Sequence, residues 1–168
     1  NTVATLPGGL VNGWYNTGIS IPLISTDTLS GVLLTNYRLL RGGIVVSSGL
    51  YASPITASAD GQYSLYYFAT DKAGNIEVEK ITAFKIDRTR PVISISSPAA
   101  GQIFIATRGN IPVVYDVSDN FDAAPAVEAY FVQTEDRGSP RGVRSAKIAV
   151  SNGQSIEPLS IDDGIWRL

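Results

Sequence analysis

The chain has 168 residues, 44% hydrophobic and 17% charged, with a net charge of −2, enough for one medium domain or two small ones. It contains no His and no Cys, which excludes Ser-His-Asp and Cys-His nucleophiles, His or Cys zinc sites and disulfide frameworks, so any metal must be held by oxygen. The near-balanced charge argues against a nucleic-acid partner, and no apolar run approaches the roughly 18 residues of a membrane span. Met is absent too, so the numbering does not begin at an initiator codon and the expectation is a fragment or a processed product.

Val, Ile and Thr number 43, and Gly and Pro are spread along the chain instead of clustering. β-Branched side chains fit the pleated surface of a strand and lose rotamer freedom in a helix. Short alternating runs, interrupted by turn residues roughly every 8 to 12 positions, predict an all-β fold. In chain order the expected strands are Thr2–Leu6, Ile19–Thr26, Val32–Leu40, Ile44–Val46 with Tyr51 nearby, Gln62–Thr70 and Ile76–Ile86. Gly-, Asn- and Asp-containing turns such as Arg41-Gly42-Gly43 and Asp71-Lys72-Ala73-Gly74-Asn75 separate them. Within Gln62–Thr70 the alternation places Tyr63, Leu65, Tyr67 and Ala69 inward and Ser64, Tyr66, Phe68 and Thr70 outward.

The stretch Arg88-Thr89-Arg90-Pro91 reads as a short stiff linker, because Pro91 cannot donate to a ladder and biases Arg90 to an extended conformation. Beyond it the pattern restarts. Ile21-Pro22-Leu23-Ile24 is matched by Ile111-Pro112-Val113-Val114, and Asp60-Gly61-x-Tyr63-x-Leu65 by Asp163-Gly164-x-Trp166-x-Leu168. The wider spacing in the second copy places an insertion in the polar stretch Glu135–Arg144. Two tandem modules are expected, 1–87 and 92–168, joined by 88–91.

Asp60-Gly61-Gln62-Tyr63-Ser64-Leu65 is similar to the tyrosine corner of immunoglobulin-like sandwiches, with Leu65 where those domains carry a core Cys. Together with Tyr67–Asn75, Phe84–Pro91, Gly13-Trp14-Tyr15 and Ser25–Val32, it resembles the bacterial immunoglobulin-like repeats of multidomain surface and secreted proteins. The resemblance covers nearly all of 1–91 and is looser over 92–168. It implies tandem immunoglobulin-like β-sandwiches at an extracellular or cell-surface location, with flanking domains of the same parent chain, or a surface glycan or protein, as partners. Aligned this way, the second sandwich lacks the 21 residues equivalent to Tyr66–Ile86, so it is expected to be incomplete at its C-terminus, its missing strands lying in a longer parent or coming from a neighbour.

Three groups are candidate sites. Asp116, Asp119 and Asp122 place three carboxylates in one loop, with Asp87 at the end of the first module, a density of hard oxygen ligands that suits Ca²⁺; the alternative is that they cap the loop through backbone N–H groups. Trp14 (with Tyr15 beside it), Tyr66 and Phe68 could form an aromatic platform for sugar rings, or pack on neighbouring chain. Asp27 with Ser30, and Asp71 with Asn75, belong to loops that meet at one pole of such a sandwich, as a ligand site or as turn caps. The basic run Arg137, Arg141, Arg144 and Lys147 lies beside Glu135 and Asp136 and reads as a solvated loop. No spacing marks a catalytic carboxylate pair. The expected function is non-catalytic, a spacer, stalk or adhesion module requiring no cofactor. The alternative is a carbohydrate-binding accessory module of a polysaccharide-active enzyme.

Overall fold

The computed structural model describes residues 1–102, 110–135, 147–156 and 165–167. Among these residues the regular structure is entirely β, in fifteen strands. The chain divides into two compact units, Asn1–Thr89 and Arg90–Leu168.

Unit 1 contains β1 (Thr2–Ala4), β2 (Ile19–Ile21), β3 (Leu23–Ser25), β4 (Val32–Arg41), β5 (Ile44–Leu50), β6 (Ile55–Ala57), β7 (Gly61–Asp71) and β8 (Lys80–Ile86). A four-stranded antiparallel sheet runs in the order β5-β4-β7-β8, and two short pairs, β1-β3 and β2-β6, accompany it. β7 organises the larger sheet through strict alternation. Tyr63, Leu65, Tyr67 and Ala69 are each 7% exposed or less, whereas Ser64, Tyr66, Phe68 and Thr70 are half-buried on the other face. Opposite pairs share a face, so Leu39 joins Leu65 and Phe84 joins Tyr63, the two rings stacking with centroids 4.9 Å apart. These residues and Ile19, Ile21, Leu23, Ile55 and Ala57 from the short pairs form one apolar cluster. Small sheets closed over a common core are compatible with a β-sandwich.

The run Ile19–Thr26, expected as a single strand, is two strands with different partners. β2 pairs with β6 and β3 with β1, and the change falls at Pro22, which has no N–H to donate and whose carbonyl accepts from the Thr5 amide. The N-terminal segment also serves both layers. After β1 it crosses to the large sheet, where the Tyr15 amide donates to the Lys85 carbonyl and the Asp87 amide to the Tyr15 carbonyl, a parallel bridge beside Ile86. Between β4 and β5, Gly42 and Gly43 both have positive φ, 56° and 82°, the geometry that a two-residue hairpin matched to strand twist requires.

At the entrance to β7 the Tyr63 hydroxyl donates to the Ala59 carbonyl (2.7 Å), tying the strand to the corner before it. Gly61 sits there with φ 150°, and a Cβ would come 2.8 Å from Cγ of Arg41. A second polar tie crosses the interior: the hydroxyls of Thr2, Ser25 and Thr35 form a string with contacts of 3.0 and 2.7 Å, joining β1, β3 and β4. Thr2 and Thr35 are buried, and the string satisfies them there.

Unit 2 contains β9 (Val92–Ser97), β10 (Ile111–Pro112), β11 (Val114–Ser118), β12 (Ala129–Glu135), β13 (Lys147–Val150), β14 (Ser155–Ile156) and β15 (Ile165–Arg167). Its pairings are β9-β11, β10-β14 and β13-β12-β15. This is the scheme of β1 to β7 strand for strand, β1-β3, β2-β6 and β5-β4-β7, and β8 has no counterpart among the described residues. The matched tetrapeptides coincide in role as well as in sequence. Ile21 and Ile111 are buried, Leu23 and Val113 are buried, and Ile24 and Val114 face outward. Most of the extra length of the second copy falls between β12 and β13, where residues 136–146 stand in place of Gly42-Gly43, and the rest between β11 and β12. Those residues, with Arg137, Arg141 and Arg144, lie outside the described set, as do Asp163, Gly164 and Leu168 of the second matched motif.

Tyr63→Phe removes the corner hydrogen bond and leaves the stacked ring in place. It should lower the stability of unit 1 by about 1 kcal/mol, against about 2–5 kcal/mol for Leu65→Ala, which empties the centre of the core. Urea unfolding monitored by Trp14 fluorescence, in a Trp166→Phe background, measures both. A Tyr63→Phe value indistinguishable from the parent would show that the corner bond contributes nothing.

Candidate functional site

The loops at one pole of unit 1 are built by carboxylates that accept backbone amides. Oδ2 of Asp27 accepts from the Leu29 and Gly31 amides (3.2 and 2.8 Å) and from the Ser30 hydroxyl. Asp71 accepts from the amide and the side-chain Nδ2 of Asn75 (2.8 and 2.7 Å). The Lys72 amide donates to the Gly31 carbonyl, so the two loops are joined. The structure thus brings Asp27, Ser30, Asp71 and Asn75 together at one pole, with their polar atoms engaged in turn geometry. The Gly31 amide holds Asp27 below the usual carboxylate range, with Leu29 and Ser30 adding to it, and the Asn75 side chain and amide do the same for Asp71.

Beside these loops an open depression of about 190 Å³ is lined by Asn1, Asp27, Asp71, Asn75, Ile76 and Glu77, among others. Glu77 is its most constrained group, with a side chain only 18% exposed. Its carboxylate accepts from the amides of Thr2 (2.9 Å) and Ala69 (3.2 Å) and pairs with the Lys80 ammonium at 2.7 Å. Lys80 Nζ in turn donates to the Thr2 carbonyl and to the side chain of Asn1. One carboxylate therefore fastens β1 to β7 and to the start of β8. Burial alone would raise its pKa, but the Lys80 ammonium, the Thr2 hydroxyl and amide and the Ala69 amide outweigh it and bring it down to about 2.

Sequence reasoning missed Glu77. Ile76-Glu77-Val78-Glu79 alternates like a strand and was expected to form one with Lys80–Ile86. In the structure β8 starts at Lys80, and Ile76 and Val78 are 70% and 84% exposed while the Glu points inward. Local spacing offers only the ion pair with Lys80; the amides that make Glu77 a clamp belong to Thr2 and Ala69. Asp27, Asp71 and Glu77 are all held as charged acceptors. A general acid at neutral pH requires the opposite shift.

The aromatic candidates lie on the outer side of the large sheet. Tyr66 and Phe68 face out of β7, and Trp14, half-buried, lies beside Lys85, which faces out of β8. A cation covers two of the rings: the Arg38 guanidinium stands 4.6 Å from the Tyr66 centroid and the Lys85 ammonium 5.1 Å from that of Trp14. Tyr15, expected beside Trp14, is instead buried, with its hydroxyl donating to the Pro7 carbonyl.

The calcium candidates are divided between the units, Asp87 in unit 1 and Asp116, Asp119 and Asp122 in unit 2. Asp116 is in β11 opposite Ser94. Asp119 Oδ1 accepts from the amides of Phe121 and Asp122 (both 3.0 Å), and Asp122 Oδ1 from that of Ala124 (2.9 Å). Asp87 Oδ1 accepts from the Thr89 amide. Among the described residues no three acidic side chains converge as a metal cage. Arg88 and Thr89, expected within the linker, are fastened to unit 1: the Arg88 amide and the Thr89 hydroxyl donate to Asp60, and the Arg88 guanidinium donates to the Ser58 carbonyl. These bonds, that of Thr89 foremost, hold Asp60 below its ordinary pKa.

No protein-family model matches the sequence, and neither curated proteins nor solved structures give a match. Among the described residues no helix is long and apolar enough to cross a membrane.

The Glu77 clamp makes unit 1 acid-sensitive. The carboxylate binds a proton more readily in the unfolded chain, at about pH 4.5, than in the fold, at about 2. Its contribution is therefore complete above pH 4.5 and is lost as the pH falls towards 2. Glu77→Gln should lower the melting temperature of unit 1 at pH 7, and the gap to the parent should close progressively over that interval. A gap of constant size from pH 7 to pH 2 would contradict the assignment.

Proposed function

We propose that this chain is a pair of tandem immunoglobulin-like sandwiches serving as a non-catalytic spacer, stalk or adhesion segment of a larger surface or secreted protein. The observation that supports it most is the repeated pairing scheme, with β1-β3, β2-β6 and β5-β4-β7 of unit 1 recurring as β9-β11, β10-β14 and β13-β12-β15 of unit 2. Duplication of one sandwich is an economical way to lengthen a chain without building a cleft. The Tyr63 corner bond, and an N-terminal segment that begins on one layer and ends on the other, add immunoglobulin-like detail to unit 1. On this reading flanking domains of the parent are the main partners, the location is extracellular or at the cell surface, and no cofactor is required.

A spacer acts through its length and not through particular surface residues. Replacing residues 1–168 in the parent protein with an unrelated pair of sandwiches of equal length should preserve the parent's attachment or activity, whereas deletion should reduce it. Loss of function in the equal-length replacement would show that this chain recognises something itself. Retention on insoluble polysaccharide that Tyr66→Ala or Phe68→Ala abolishes would replace the spacer with the carbohydrate-binding reading.

A further inference from the structure

The six sheet edges of unit 1 are not alike. β1, β2, β3 and β6 are three residues each, too short to template much pairing. β8 carries Lys80 and Lys85, and Tyr15 bridges it at Ile86. β5 has none of these protections. It is seven residues long, Ile44-Val45-Val46-Ser47-Ser48-Gly49-Leu50, and lies at the end of the β5-β4-β7-β8 order. Between Arg41 and Asp60 the sequence contains no charged residue. Ile44, Val45, Val46 and Leu50 are between 46% and 73% exposed. Soluble proteins ordinarily guard such an edge with charge, proline or a cover, and here the irregularities are the bulge opposite Leu39 and Leu40 and the positive φ of Gly49, 146°.

The register identifies the open backbone groups. The Tyr51 amide donates to the Thr35 carbonyl, and Leu50 lies opposite Asn36. Bonded pairs alternate along an antiparallel ladder, so Gly49 and Ser47 face β4, and the N–H and C=O of Ser48 and Leu50 point away from it. Antiparallel pairing of β5 with itself about a twofold axis at Gly49 sets Ser48 against Leu50 of the second copy, and Leu50 against its Ser48. The outward donors and acceptors of Ser48 and Leu50 then meet one another, and Gly49, opposite its own copy in a closely spaced non-bonded pair, has no side chain to crowd it. An uncharged strand meets its own copy without the like-charge repulsion that two lysine-bearing β8 edges would suffer.

We propose that β5 is a self-association edge, through which two copies of this chain join their four-stranded sheets into one continuous sheet across a twofold axis. A single strand pair buries less than a standard interface, so the dimer is weak and forms with rising concentration. Sedimentation velocity of the intact chain from about 10 µM to 1 mM, the range in which such small interfaces operate, should show the mass rising from 17.9 kDa towards twice that value. Ser48→Pro deletes an N–H that points away from β4, and Leu50→Lys places like charges on either side of the axis. Each should weaken association at least tenfold while leaving the melting temperature of a dilute sample within a degree or two. Leu50→Thr, neutral and β-branched, should keep association and guards against a trivial effect of substitution. A wild-type chain that stays monomeric at the highest concentration overturns the proposal. So does a dimer that neither Ser48→Pro nor Leu50→Lys weakens, which would place association elsewhere, and so does protection of the Ser48 and Leu50 amides from exchange only when a different protein is added.

Discussion

The period-two alternation of β7 is the constraint from which the rest of unit 1 follows. Tyr63, Leu65, Tyr67 and Ala69 must all face the same way, so a slip of one residue against β4 would turn the whole inward set to solvent and bring Tyr66 and Phe68 inside. With that register set, β4 supplies Leu39 and Tyr37 on one side and β8 supplies Phe84 and Thr82 on the other, and the two short pairs close over the same cluster. The polar ties then act on a strand whose orientation is already determined. Tyr63 fastens its entrance, and the Glu77 carboxylate fastens β1 to Ala69 near its exit.

This division explains what could be read from the sequence. Alternation is local, so the long strands β4 and β7, the direction of each β7 side chain and the restart after Pro91 are legible in the residues themselves. β6 is not. Ile55-Thr56-Ala57 is too short to establish a period and is recognisable only because β2 pairs with it. The split at Pro22 was not read from the sequence, because the two partners that separate β2 from β3 are a tertiary fact. Among the candidate sites, Asp27, Asp71, Asp119 and Asp122 belong to turn chemistry that sequence exposes well, although the choice between cap and ligand needs the partner atoms. The outward direction of Tyr66 and Phe68 was legible from period alone. The Arg38 guanidinium over Tyr66 was not, because the contact crosses from β7 to β4.

A sandwich without cysteine has to join its layers by other means. In unit 1, Leu65 is fully buried at the centre of the core, and the hydroxyl string from Thr2 through Ser25 to Thr35 crosses from β1 and β3 to β4. Apolar contact there is non-directional, whereas each hydroxyl has to find an acceptor, so the string favours one relative placement of the layers over neighbouring ones. None of these contacts involves a thiol. The described fold of unit 1 is accordingly indifferent to whether its surroundings are oxidising or reducing.

The bridge between Tyr15 and Ile86 has a consequence for how unit 1 bears load. The two segments run parallel, and one leads back to the beginning of the unit while the other leads out of it. Once β1 is released from β3, tension between the two ends of the unit pulls these neighbours in opposite directions along their own axes. The hydrogen bonds of Tyr15 with Lys85 and Asp87 lie across that line and are loaded together in shear, instead of opening one after another as at the free end of a hairpin. These two bonds have to give way together, so they resist extension where the first and last segments of the unit meet.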